Sequence, residues 1–309
     1  MPRNGGMPTD ADERAPRQRS PLGDAGTPRR RVKAKGAVVT TLAETPEFLH
    51  CPGIVGHYRS YDEYARSVKR ILLSFFELHN ESMNVWTHFV AALVYLTGIA
   101  PYMFWMRLRD APLLDRYTIS LYYVAAATCF LLSAVYHLFL THSVKAYRVL
   151  RMADHQGILL LICASYIPAI GIGYRCHWRI AIQFLWVNAA FYMMAVVGLW
   201  YAHRHGYVVF RNITFLGYTS WGLLPLAVGL TLQLEHAAWL LRHAFVMWSI
   251  YGIGFVLYVT RFPEKVWVGK FDLWFSSHQL FHIATIAASA VWGRSMLRLH
   301  DHVSATGLC

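Results

Sequence analysis

Between Tyr117 and Leu140 the chain reads YTISLYYVAAATCFLLSAVYHLFL, a stretch without Asp, Glu, Lys or Arg. At a rise of about 1.5 Å per residue, a helix of this length crosses the roughly 30 Å hydrocarbon layer of a bilayer. Comparable runs cover Asn84–Met106, Gly157–Gly173, Ile180–Tyr201, Ile213–Leu232, Ala244–Thr260 and Leu273–Gly293. With 56% hydrophobic and 15% charged residues, 18 Tyr and 11 Trp, the composition points the same way. The expected fold is an all-α membrane protein, a bundle of seven transmembrane helices joined by short loops.

The flanks differ in kind. The first 36 residues hold five Pro, five Gly, nine Lys or Arg and four acids, and no aromatic residue. Such a segment buries too little apolar surface to offset its ordering entropy, and it has no apolar core of a signal peptide. We expect a disordered basic tail over residues 1–55. Next, Tyr61, Tyr64, Val68, Ile71, Leu72 and Phe75 recur at helical spacing among charged residues. That pattern predicts an amphipathic interfacial helix within residues 56–79. The bundle then occupies 80–297 and a short tail 298–309.

A net charge of +12 raises nucleic acid as a partner, but no basic-aromatic module accompanies it, and the membrane flanks account for it. Loop Lys and Arg balance, eight on each side. The basic N-terminal region therefore sets the orientation: N-terminus cytosolic and, after seven crossings, C-terminus extracellular or lumenal. The five cysteines lack metal-type spacing; Cys129 and Cys163 read as small hydrophobes, and Cys309, the last residue, is not a prenylation box.

The polar residues inside the runs coincide in depth. His278 and His282 stand one turn apart at the start of the last run, Ser133 and His137 one turn apart at the end of the second, and Asp154 opens the third. Alternating crossings bring all these ends to one side of the membrane. Three neutral imidazoles, His137, His278 and His282, suit a zinc ion with its fourth position open for water. Asp154 is placed to take a proton from that water or to orient a ligand, and Ser133 to hydrogen-bond a developing oxyanion. Glu81, Asn84 and His88 share a face of the first helix and read as packing or site-mouth residues. His203 and His205 read as solvated loop histidines, and Pro168 and Pro225 as kinks.

The same residues carry a resemblance. Asn80-Glu81 through Asn84 and Trp86 to His88, Ser133 to His137, Asp154, and Pro263-Glu264 through Gly269-Lys270-Phe271-Asp272 to His278 and His282 resemble the progestin and adipoQ receptor family, above all its adiponectin receptor branch. The likeness runs from about Gly56 to Trp292. It implies a seven-helix bundle with a cytosolic N-terminus and a three-histidine zinc site at His137, His278 and His282, with Asp154 and Ser133 around the metal's water. The wider haemolysin III-type superfamily includes alkaline ceramidases, and adiponectin receptors are associated with ceramidase activity. His155-Gln156 after Asp154 looks more like the bacterial haemolysin III-type relatives, and Val268 stands where the receptor branch usually has Pro.

Together these readings favour a zinc-dependent amidohydrolase that cleaves a membrane lipid amide, ceramide above all. The alternative is a non-enzymatic seven-helix receptor with structural zinc, coupling an extracellular protein, steroid or lipid ligand to signalling. A metal transporter fits less well, because no second polar cluster continues a path. A retinal protein is excluded, because Leu273–Gly293 contains no Lys.

Overall fold

The computed structural model describes residues 39–306 of the chain. The tail reading for residues 1–38 and the reading of Cys309 lie outside those residues. From Val39 the chain forms not a tail but a small built unit. Strand β1 (Val39–Thr40) pairs antiparallel with β2 (Tyr58–Arg59), Val39 opposite Arg59 and Thr40 opposite Tyr58. Tyr58 packs inside this unit, its hydroxyl donating to the Ile54 carbonyl at 3.1 Å.

The expected interfacial helix is two short ones, α1 (Tyr61–Tyr64) and α2 (Val68–Ser74). Between them Arg66 adopts φ +62° and its N–H bonds the His142 carbonyl at 2.9 Å. That left-handed residue breaks the helix the periodicity predicts, and Ser67 caps the restart by accepting from the Arg70 N–H. Ile71 and Ser74 turn inward while Val68, Leu72 and Phe76 stay exposed, as suits a segment between bundle and lipid.

Among the described residues, six helical stretches are long and apolar enough to cross a membrane: α3 (Ser82–Arg107), α4 (Leu113–Phe139), α5 (Val144–Gly173), the stretch Arg175–His205 that contains α6 (Trp178–His205), the pair α7 (Val208–Ser220) and α8 (Leu223–Thr231), and α9 (Ala237–Thr260). They overlap six of the seven apolar runs. Around Pro101 helix α3 widens into π-type turns, which relieve the missing N–H. The last run becomes α10 (Ser277–Ala305), longer than expected and too polar to count among the six by composition. Its polar residues Gln279, His282, Thr285, Ser289, Ser295 and His300 are buried against protein.

Helix α4 lies along α5, α3 along α4, and α9 along α10, with α6 and α7 added outside α5. The main core joins Ile119, Tyr122, Phe130, Leu161, Trp292 and Met296 from α4, α5 and α10. Small residues allow the close approach: a Cβ at Gly157 would lie 2.9 Å from the Cys129 backbone. At the end opposite the candidate histidines, Asp115 of α4 receives hydrogen bonds from Arg175 and, at 2.7 Å, from His300 of α10. This trio, with Asp115 and His300 buried and Arg175 half-buried, joins α4, α10 and the connection between α5 and α6. Close to it, Cys176 is disulfide-bonded.

Candidate metal centre

Two helices, α4 and α10, deliver the histidines to one place. His137 sits in the last turn of α4, where the final carbonyls of a helix lack internal partners. Arg59, 1% exposed, supplies them: its guanidinium donates to the His137 and Leu138 carbonyls, both at 2.6 Å, and to Ser74 Oγ at 3.1 Å. Burial lowers the Arg59 guanidinium to about 10, so it stays charged at neutral pH. His278 and His282 sit on the first turns of α10. That helix starts at a capping box between Ser276 and Gln279, and buried Glu264 accepts from the Ser277 N–H at 2.7 Å and from its hydroxyl. Asp272 in the same loop accepts from the Gly56 N–H at 2.7 Å, tying the N-terminal unit to the approach to α10.

The side chains converge as expected. His137 Nε2 lies 3.0 Å from His278 Nε2, and His282 Nε2 lies 3.2 Å from the same atom. One ligand atom from each falls within 4.8 Å of the others. The Glu81 carboxylate accepts from His137 Nδ1 at 2.7 Å, so the proton is on Nδ1 and the Nε2 lone pair faces its neighbours. His278 Nε2 carries at most one proton and cannot satisfy both close contacts. Converging lone pairs of this kind fit a cation: neighbouring donors around a tetrahedral zinc stand about 3.3 Å apart.

Glu81 is the residue the sequence reading undervalued. It was placed among packing or mouth residues, yet it joins two elements at the site. Burial alone would push its carboxyl up; hydrogen bonds from His137 and from Asn84, the latter at 2.7 Å, outweigh that and hold it below the usual carboxylate range. A carboxylate behind a ligating histidine fixes its tautomer and ring orientation. His88, from the same helix face, stacks on His282 with ring centroids 3.6 Å apart and 3° between planes.

Asp154 and Ser133 are both buried, Ser133 one turn before His137 on α4. Asp154 is not at a helix start. Helix α5 begins at Val144, whose polar first turns hide it from a hydropathy reading. His203, read as solvated, instead pairs with His155: Nδ1 of His155 and Nε2 of His203 are 2.6 Å apart. A cavity of about 520 Å³ lined by Glu235, His236, Trp239, Arg298 and His302 lies at the opposite end and has no part in this centre.

A family model described as haemolysin-III related matches residues 76–293. The chain belongs to the haemolysin-III related family. Among the proteins it is similar to, an adiponectin receptor protein of Drosophila melanogaster is 30% identical over 234 residues, covering 73% of this chain and 52% of that protein. An ADIPOR-like receptor of Saccharomyces cerevisiae is 28% identical, covering 84% of this chain and 83% of its own length. Heptahelical transmembrane protein 1 of Arabidopsis thaliana is 26% identical, covering 85% and 82%. The chain thus spans about half the length of the fly relative and most of the yeast and plant ones. Family membership and six apolar helices make it an integral multi-pass membrane protein.

Proposed function

We propose that this haemolysin-III related protein is a zinc-dependent hydrolase of a membrane lipid amide, of the ceramide class. The observation that carries the reading is the convergence of three imidazole nitrogens, backed by Glu81, at the helix ends that also bury Asp154 and Ser133. Zinc, when bound by His137, His278 and His282, supplies Lewis acidity that makes a water nucleophilic near neutral pH. Glu81 keeps the Nε2 lone pair of His137 available, and the stacked His88 ring holds His282 in place. Asp154 accepts the attacking water's proton on its carboxylate and returns it to the amide nitrogen as the amine leaves. Ser133 orients Asp154. The products are a fatty acid and a sphingoid base, and the apolar lipid-facing walls of the bundle suit a substrate that arrives sideways from the bilayer.

The seventh crossing belongs to this proposal. Helix α10 is 29 residues long and places its polar residues inward, and a plant relative bears the name heptahelical. An orientation with the histidine end toward the cytosol is supported from both ends. The basic N-terminal region favours the cytosol, and the disulfide at Cys176 favours an oxidising compartment for the opposite end.

The test is zinc content together with fatty-acid release from labelled ceramide. The expected outcome is about one zinc per chain in wild type and in Asp154→Asn, with turnover in the variant down on the order of 100-fold or more. His278→Ala/His282→Ala should lose zinc and His203→Ala should keep it. No release by wild type above a metal-free control overturns the enzyme reading. It would leave the receptor role carried by the fly and yeast relatives' names, with a protein or steroid ligand outside.

A further inference from the structure

The haemolysin-III fold carries a second polar cluster that the metal centre does not use. Between Val144 and Leu234 the only acid is Asp154, which the proposed hydrolase already uses. The same stretch places Lys145, Arg148, Arg151, Arg204 and Arg211 near the histidine end of α5, α6 and α7. Within it, the His155 and His203 rings meet at 2.6 Å between nitrogens and 4.8 Å between centroids. Arg151 stands one turn before His155 on α5, and Arg211 stands in the first turn of α7, one turn before Phe215, whose ring packs on His155 with centroids 5.9 Å apart.

Neither guanidinium has an anionic partner among the described residues. Arg151 bonds the Tyr147 hydroxyl and lies over its ring, leaving its buried Nε without a partner. Arg211 bonds only the neighbouring Asn212 amide oxygen. In a neutral imidazole pair, the ring that accepts the shared hydrogen bond carries its own proton on the other nitrogen. The cluster therefore offers two guanidinium forks and an N–H donor with no negative charge to meet them. Repulsion among these groups is relieved by an anion with several acceptor oxygens, and the fork geometry of Arg matches phosphate.

We propose that Arg151, His155, His203 and Arg211 form a binding site for the phosphate of an anionic phospholipid. The lipid, rather than free phosphate, is favoured by position. The cluster lies at the helix ends, flanked by exposed Tyr201 and Tyr207 at headgroup level, and exposed Val209 and Ile213 give an acyl chain an apolar wall. His155 follows Asp154 directly on α5, so the bound headgroup sits at the rim of the metal centre.

The test reads lipid retention by native mass spectrometry of the full chain from nanodiscs of phosphatidylcholine doped with phosphatidic acid. It needs neither zinc nor turnover, so its failure is separate from that of the hydrolase reading. Wild type should retain phosphatidic acid over phosphatidylcholine. Arg151→Gln and Arg211→Gln should each lower retention several-fold and the double variant should bring it to background, whereas Lys145→Gln should not change it. Should the double variant not stay monodisperse, Arg211→Lys provides the reading: charge without a fork should retain an intermediate amount. Equal retention by wild type and Arg211→Lys together with Arg151→Gln, or an equal fall in Lys145→Gln, overturns the proposal. Complete displacement of the lipid by inorganic phosphate at matched concentration makes the site one for a free anion and overturns the lipid assignment.

Discussion

Glu81 shows how a single side chain decides what its neighbours can do. A carboxylate in a largely buried position is tolerated only with several donors around it, and here Asn80, Asn84 and His137 provide them. Because its bond to Nδ1 sets the His137 tautomer, Glu81→Gln should weaken zinc binding by roughly 10- to 100-fold while leaving the chain folded. Zinc retention during titration with a chelator checks this, and unchanged retention would assign Glu81 to packing. His137, His278 and His282 were legible in the sequence because imidazoles at one depth in apolar runs have no other common reason to be there. Arg59 and Glu81 were not. Each acts on His137 across a long stretch of chain, and only the fold reveals that the last turn of α4 needs a buried donor for its carbonyls.

At the scale of elements, hydropathy found the apolar middle of the long helices and missed the ends that carry polar or charged residues. Helix α5 begins thirteen residues before the predicted Gly157, because Lys145, Arg148 and Arg151 interrupt the apolar run but not the helix. Helix α10 runs on past Gly293 through Ser295, Leu299 and His300, all buried in the bundle. The amphipathic segment was legible as a pattern but not as two pieces, since nothing in the periodicity announces the left-handed turn at Arg66. The start of α10 matters most for the site, since both histidines ride on its first turns. Glu264→Gln removes a charge that holds two donors at that terminus and should lower stability by about 1 to 3 kcal/mol. The expected result is an earlier thermal midpoint in detergent, with zinc lost in the same transition; zinc loss well before unfolding would show that α10 frays first.

The whole molecule is polarised along its axis, with imidazoles, buried acids and the built N-terminal unit at one end, and an ionic trio and a disulfide at the other. The proposed orientation is checked by spaced glycosylation acceptors. One inserted near Cys176 should be modified and one inserted in the N-terminal tail should not, as read by gel mobility with and without glycosidase. The reverse pattern would place the histidine end outside.

Asp115, Arg175 and His300 have a mechanical consequence. By binding α4, α10 and the α5–α6 connection in a charge-assisted knot, they make the far end of the bundle its fixed end. The ligands of the metal centre come from two of those same elements, so any separation of α4 from α10 must act like tongs, pivoting at Asp115 and opening at His137 and His278. Asp115→Asn should loosen the pivot, and hydrogen exchange at the far ends of α4 and α10 should rise before exchange at the histidine end does. A bundle built this way would open at its histidine end and stay shut at the other.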